Sequence, residues 1–204
     1  MKTHRRRLSA RPTRPVIART ASVSGVAVSS EVAYYADNFP AAVRLSRAAL
    51  AETAVGDDLF STVCHQAQLA RNLHASGDMG SATHWLGTAL RNCLANGLWM
   101  PAVDALTTTA RIEADRHNPS RAATLLAAAD ALRPGTGRFP ATVERPRLNE
   151  LADVIRAQLP RADHALAQAE GRGMKPAQAL KYALYTMHHG GDHQLTSGNG
   201  PGRR

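Results

Sequence analysis

Aromatic side chains are scarce in this 204-residue chain, where Phe, Trp and Tyr together make up 4% although 44% of the residues are hydrophobic. An interior that must be filled largely by alanine suits helices that approach closely, and it disfavours a sheet core. Cysteine is nearly absent as well. Two residues, Cys64 and Cys93, cannot form a disulfide framework in a chain of this length, and such sparing use fits buried thiols in a reducing, cytoplasmic setting. No apolar run approaches the roughly 18 residues of a membrane span, so no membrane partner is expected.

Signatures of catalysis are missing too. There is no Gly-x-x-x-x-Gly-Lys-Ser/Thr phosphate loop, and Gly135-Thr136-Gly137-Arg138 lacks the spacing to cradle phosphates. Neither a His-Glu-x-x-His zinc helix nor a Gly-x-Ser-x-Gly nucleophile elbow occurs. The expectation is a protein that is not an enzyme, with no catalytic residue, no metal and no cofactor.

Acidic residues are absent from residues 1–20, which carry Lys2, Arg5, Arg6, Arg7, Arg11, Arg14 and Arg19. These seven charges account for most of the formal +9, and residues 189–204 add one more. The body is therefore nearly neutral, and the basicity belongs to one end. Pro12, Pro15 and the charge run oppose packing, so residues 1–30 read as a disordered basic leader able to touch nucleic acid through residues 1–20. An Arg- and Ser-rich, acid-free leader also has the composition of a mitochondrial transit peptide.

What the chain does have is a succession of helical segments with short Gly, Asp, Asn and Pro punctuation. The patterning predicts helices over 31–36, 40–54, 59–76, 79–96, 100–116, 119–132, 143–159, 161–170 and 176–188. Three turns can be laid over one another: Ala36-Asp37-Asn38-Phe39-Pro40-Ala41, Gly77-Asp78-Met79-Gly80-Ser81-Ala82 and His117-Asn118-Pro119-Ser120-Arg121-Ala122. After each final Ala come a Leu (Leu45, Leu86, Leu126) and another Ala (Ala48, Ala89, Ala129). A helix pair repeating at about forty residues cannot bury its apolar stripe alone, so stacked antiparallel hairpins are expected.

Leu69, Ala70, Leu73, Gly77, Asp78, Ala82, Leu86 and Ala89 together resemble the tetratricopeptide-repeat signature, with Gln66 where that signature usually leads with Trp. The longer period, the Ala/Leu run at 121–133 and the closing Gly171-Arg172-Gly173 element are similar to the C-terminal repeat region of bacterial LuxR- and AfsR-type transcriptional regulators and signal-transduction ATPases. The resemblance covers residues 31–184. It implies an all-α right-handed solenoid: three hairpins over 31–132, a Pro/Gly loop at 133–142, capping helices over 143–188 and a disordered Gly-rich tail at 189–204. It further implies a protein or peptide partner held in the groove lined by the first helix of each hairpin. By the repeat count Arg71 and Arg111 share one groove position, with His74, Asp104 and Thr107 beside it. Two guanidiniums there would clamp an acidic peptide or carboxylate. A homodimer through uncapped ends stays open.

Other constellations read as structural. His188, His189, Asp192 and His193 carry metal-ligand chemistry, but sit where a helix runs into a Gly-rich tail. Cys64 and Cys93, with His65 and His84 nearby, read as core thiols. Asp57-Asp58, Glu113-Asp115 and Glu150-Asp153 read as loop or surface charges, and Trp85 and Trp99 as packing between repeats.

Overall fold

Local capping chemistry decides where several helices begin. The computed structural model describes residues 14–56 and 58–189, among which there are nine α-helices and no strand. They are α1 (Arg14–Tyr35), α2 (Phe39–Ala54), α3 (Leu59–Ala75), α4 (Met79–Asn96), α5 (Trp99–Asp115), α6 (Pro119–Thr136), α7 (Arg145–Ala157), α8 (Arg161–Gly173) and α9 (Pro176–His189). Asn38, Asp58 and Asp78 precede α2, α3 and α4. Each accepts, on a side-chain oxygen, the backbone N–H of the residue three further on: Ala41 at 3.2 Å, Ser61 at 3.1 Å and Ser81 at 3.0 Å. Such caps satisfy donors that the first turn leaves without partners.

The three overlaid turns share one backbone geometry. Asp37, Gly77 and His117 each adopt the left-handed region, at φ 57°, 87° and 59°. In each turn the following N–H reaches five residues back to close the helix end: Asn38 to the Ala33 oxygen at 2.9 Å, Asp78 to Leu73 at 3.0 Å and Asn118 to Glu113 at 2.8 Å. This is the Schellman ending, and it recurs every forty residues.

That geometry corrects the overlay of the first hairpin by one residue. Counted from the capping residue, the equivalent positions are Ala42, Ala82 and Ala122, all fully buried, and Ala49, Ala89 and Ala129, also fully buried. Leu45 is only half-buried and Ala48 is exposed. Where Leu86 and Leu126 stand in the later hairpins, the first has Ser46. Its hydroxyl lies 2.7 Å from the Ser30 hydroxyl and accepts from Asn72 Nδ2, also at 2.7 Å.

The expected leader, residues 1–30, is corrected over its second half. The helix α1 starts at Arg14, and Ser30 is fully buried, donating its hydroxyl to the Ala42 carbonyl at 3.0 Å. Pro15 falls in the first turn, where a missing N–H costs no intrahelical bond. Ser29 bonds locally, donating its hydroxyl to the Gly25 carbonyl at 2.9 Å. Residues 1–13, which hold most of the basic charge, and the tail from residue 190 lie outside the described residues, as does Asp57.

α1 packs on α2, α3 on α4 and α5 on α6, while α2–α3, α4–α5 and α3–α5 contacts join the pairs. The main core is alanine-rich, with Leu86, Leu90, Leu106, Leu125 and Leu180 filling the gaps. Each such leucine contributes about 1.5–3 kcal/mol through burial. Trp85 and Trp99 pack against this core half-buried. The loop expected at 133–142 begins late. α6 runs through Pro134 to Thr136, and Gly137 at φ 69° ends it, since a proline this near the terminus removes a single ladder bond. Beyond it, α7 lies on α5 and α6, α8 on α6, and α9 on α4, α5 and α6.

Candidate functional site

Three first helices, α1, α3 and α5, and the segment after α6 surround a cavity of about 740 Å³. Its walls are mainly apolar, with Ala27, Val28 and Val32 from α1, Ala67 from α3, Met100 from α5 and Val143 from the segment. Polar side chains cluster at one side: Glu31, Gln68, Arg71, Asp104, Arg138 and Glu144. A cavity of this size and character falls in the range of ligand sites.

Arg138 holds the covering segment in place. Its Nε donates to Asp104 Oδ2 at 3.2 Å, a second nitrogen lies 3.2 Å from Asp104 Oδ1, and a third donates to Glu144 Oε2 at 3.2 Å. Burial pushes the Asp104 carboxyl above its usual range, with Arg138 and Arg71 pulling the other way. Both of its oxygens accept from one guanidinium, an arrangement that the ionised carboxylate fills. The Arg138 guanidinium is held above its ordinary value because Asp104 and Glu144 outweigh the opposing effect of burial.

Arg71 is already occupied. It donates to Glu31 Oε1 at 3.3 Å, and its guanidinium carbon stands 4.2 Å from the centre of the Tyr34 ring. Gln68 Nε2 donates to the Ala27 carbonyl at 3.1 Å and weakly to Glu31 at 3.4 Å, tying α3 to α1. Tyr35 also faces the cavity, and burial pushes its hydroxyl pKa up to about 12.

The predicted groove residues therefore divide. Arg71 and Asp104 line the large cavity, whereas Arg71, Asp104, Thr107 and Arg111 meet in an adjoining recess of about 30 Å³ with Tyr34, Arg147 and Leu148. The open two-arginine clamp is corrected. α7 crosses α5 and places Arg147 and Leu148 over Arg111, which donates to the Arg147 carbonyl at 3.4 Å. Thr107 accepts from Arg133 at 3.3 Å and donates to Val103 at 2.8 Å. His74 lies in neither space and pairs with Asp115 at 2.7 Å; burial holds its pKa below the usual value against the pull of that carboxylate.

Glu31, Arg138 and Glu144 were missed in the sequence. Glu31 carries a signal, since it stands forty residues before Arg71 at the same repeat position, hidden by the one-residue slip in the overlay of the first hairpin. Arg138 and Glu144 lie outside the repeat and carry none. Glu113, read as a surface charge, is fully buried and accepts from Asn118 Nδ2 at 3.1 Å and Arg116 at 3.4 Å.

Cys64 lines the cavity and Cys93 is fully buried; burial pushes both thiols up to about 12, which leaves them protonated and unreactive at neutral pH. No cluster of three metal-ligating side chains occurs among the described residues, and Asp192 and His193 lie outside them. No helix among the described residues is long and apolar enough to cross a membrane. No protein-family model, curated protein or solved structure matches the chain.

Proposed function

We propose that the chain is a binding module rather than an enzyme: a tetratricopeptide-like right-handed solenoid that docks a protein partner on the face formed by α1, α3 and α5. Such a module suits the sensor or scaffold part of a bacterial transcriptional or signalling regulator. The observation that carries this reading is the recurring turn at Asp37, Gly77 and His117, which puts Glu31, Arg71 and Arg111 at one repeat position, the first two of them beside an open, apolar-walled cavity. Repeating one hairpin is the usual way to build an extended binding surface without catalytic machinery. The acidic partner expected from two free arginines is not retained, because Glu31 already neutralises Arg71 and α7 covers Arg111.

The test is capture of the partner from native lysate by the full chain and by a Val28→Arg/Val32→Glu variant. Both valines are more than 60% exposed, so the fold should persist, as circular dichroism would verify. Loss of a specific protein with the variant is the expected result; equal retention by both chains would remove the proposed docking face.

A second reading, nucleic-acid binding through residues 1–20, is favoured by their seven uncompensated basic residues. Binding whose affinity falls steeply with salt and disappears on deleting residues 1–13 supports it; salt-insensitive binding excludes it.

A further inference from the structure

We propose that the 740 Å³ cavity between α1, α3, α5 and the segment after α6 binds a small organic cation with an apolar body. This rests on reading the α1/α3/α5 face as a binding face, and adds to it a small ligand distinct from the protein partner. Volume and walls supply the first part of the argument. The space exceeds what a few waters need, and its lining of Ala27, Val28, Val32, Ala67, Met100 and Val143 favours a hydrocarbon body over a fully hydrated solute.

The mouth carries the same character. Val28, Val32 and Val143 are 61%, 64% and 53% exposed, so apolar side chains from two separate elements stand together around one opening. Grouped exposure of this kind marks a binding site more often than scattered exposure does.

Charge decides the head group. Three carboxylates, Glu31, Asp104 and Glu144, share the lining with two guanidiniums, Arg71 and Arg138, leaving an excess of one negative charge. Among these charged groups Glu31 is the most accessible. Glu31 keeps 44% of its side chain exposed, against 15% and 21% for Arg71 and Arg138 and 12% for Glu144. Arg138 binds both Asp104 and Glu144, which leaves Glu31, the most exposed carboxylate of the lining, as the group beside which an ammonium would enter. An anionic head would instead have to displace a carboxylate from Arg71 or Arg138 and remain among the others. A divalent metal is a poorer fit, since no group of three ligating side chains converges there.

The experiment is titration of the full chain at pH 7 with n-octylamine, n-octanol and octanoate, below their aggregation limits, by calorimetry. These probes share a chain length and differ in head group. Octylamine should bind about tenfold more tightly than octanol, with octanoate weakest, as expected for one additional favourable charge contact of about 1.4 kcal/mol. Glu31→Gln should weaken octylamine severalfold and leave octanol unchanged, and Val28→Trp at the mouth should abolish binding of all three. Octanoate binding as tightly as octylamine, no octylamine binding, or amine binding that survives Val28→Trp would each overturn the proposal. Partner capture is a separate readout. If it still responds to Val28 and Val32 while octylamine fails, the cation site falls and the docking face stands; the opposite pattern keeps the cation site alone.

Discussion

The α6–α8 contact and the contact of α3 with the α1–α2 hairpin join helices by opposite means. Against α8, α6 presents small side chains, and a Cβ built on Gly171 would lie 2.1 Å from the Thr124 carbonyl oxygen and 2.9 Å from the Ala127 Cβ. Nothing but a hydrogen fits there. Between α3 and the α1–α2 hairpin the contact is polar: Asn72 of α3 donates to the Ser30 hydroxyl of α1 at 3.0 Å and, on α2, to the Ser46 hydroxyl at 2.7 Å and the Ala42 carbonyl at 3.3 Å, while Arg71 reaches Glu31 of α1. The first arrangement maximises close backbone approach and leaves only a small recess of about 80 Å³ beside it. The second fixes register through directional bonds and keeps the helices apart enough to leave a cavity beside them. Dense packing with small residues and open packing with polar pins thus serve different ends of one chain.

Substitutions at each contact sharpen that contrast. The largest effect is expected from Gly171→Ala, which forces a methyl into backbone atoms and should destabilise by about 3 kcal/mol despite the better helix propensity of alanine. Denaturant unfolding reads it; a neutral result would mean that α8 slides easily and that the α6–α8 contact is not closely packed.

Asn72→Ala should follow. Removing a fully buried amide deletes three hydrogen bonds and leaves a cavity among the remaining polar groups, at a cost of about 2 kcal/mol. A loss well below 1 kcal/mol would show the polar pin to be dispensable.

Arg138→Met tests the cavity wall, with an expected loss of about 1–2 kcal/mol and faster hydrogen exchange over residues 138–144. The sign of its pH dependence is defined. Without the guanidinium, the Asp104 carboxyl, already raised by burial, is held higher still in the folded state, so the stability of the variant is retained at low pH and lost as pH rises through that value. The deficit relative to wild type should be smaller at pH 5 than at pH 8, and a constant deficit would place the loss in packing instead.

A smaller effect is expected at a cap that belongs to neither contact. Asp58→Ala should cost about 1 kcal/mol. The Ser61 hydroxyl and backbone N–H hold the Asp58 carboxyl below its usual range, so its contribution is present above the ordinary carboxylate pKa and fades as acid titrates through the lowered folded value. Unfolding curves for wild type and variant should therefore converge toward strongly acidic pH.

Much of the helical succession was legible because its signals are local. Asp58, Asp78, Gly77 and Gly97 each stop or start a helix by satisfying backbone groups within a few residues, which needs no knowledge of the rest of the chain. The repeat was legible for the same reason, although its first copy was set one residue out, because Ser46 replaces the leucine that marks the other two. α1 was obscured by composition. Serine and glycine score as disorder when read singly, yet Ser30 is satisfied by residues 12, 16 and 42 positions away.

The candidate site was half legible. Arg71 and Asp104 could be placed by repeat counting, but their partners could not. Whether a guanidinium is a free anchor or a neutralised wall depends on which distant carboxylate reaches it, and that depends on packing rather than on spacing. The sequence by itself determined most of the helices after residue 35, the Asp58 and Asp78 caps and the forty-residue period, since each rests on contacts within a turn or two. Only the tertiary structure decided that α7 closes over Arg111, that Arg138 gathers Asp104 and Glu144, and that a cavity remains, since these depend on contacts between residues far apart in the chain.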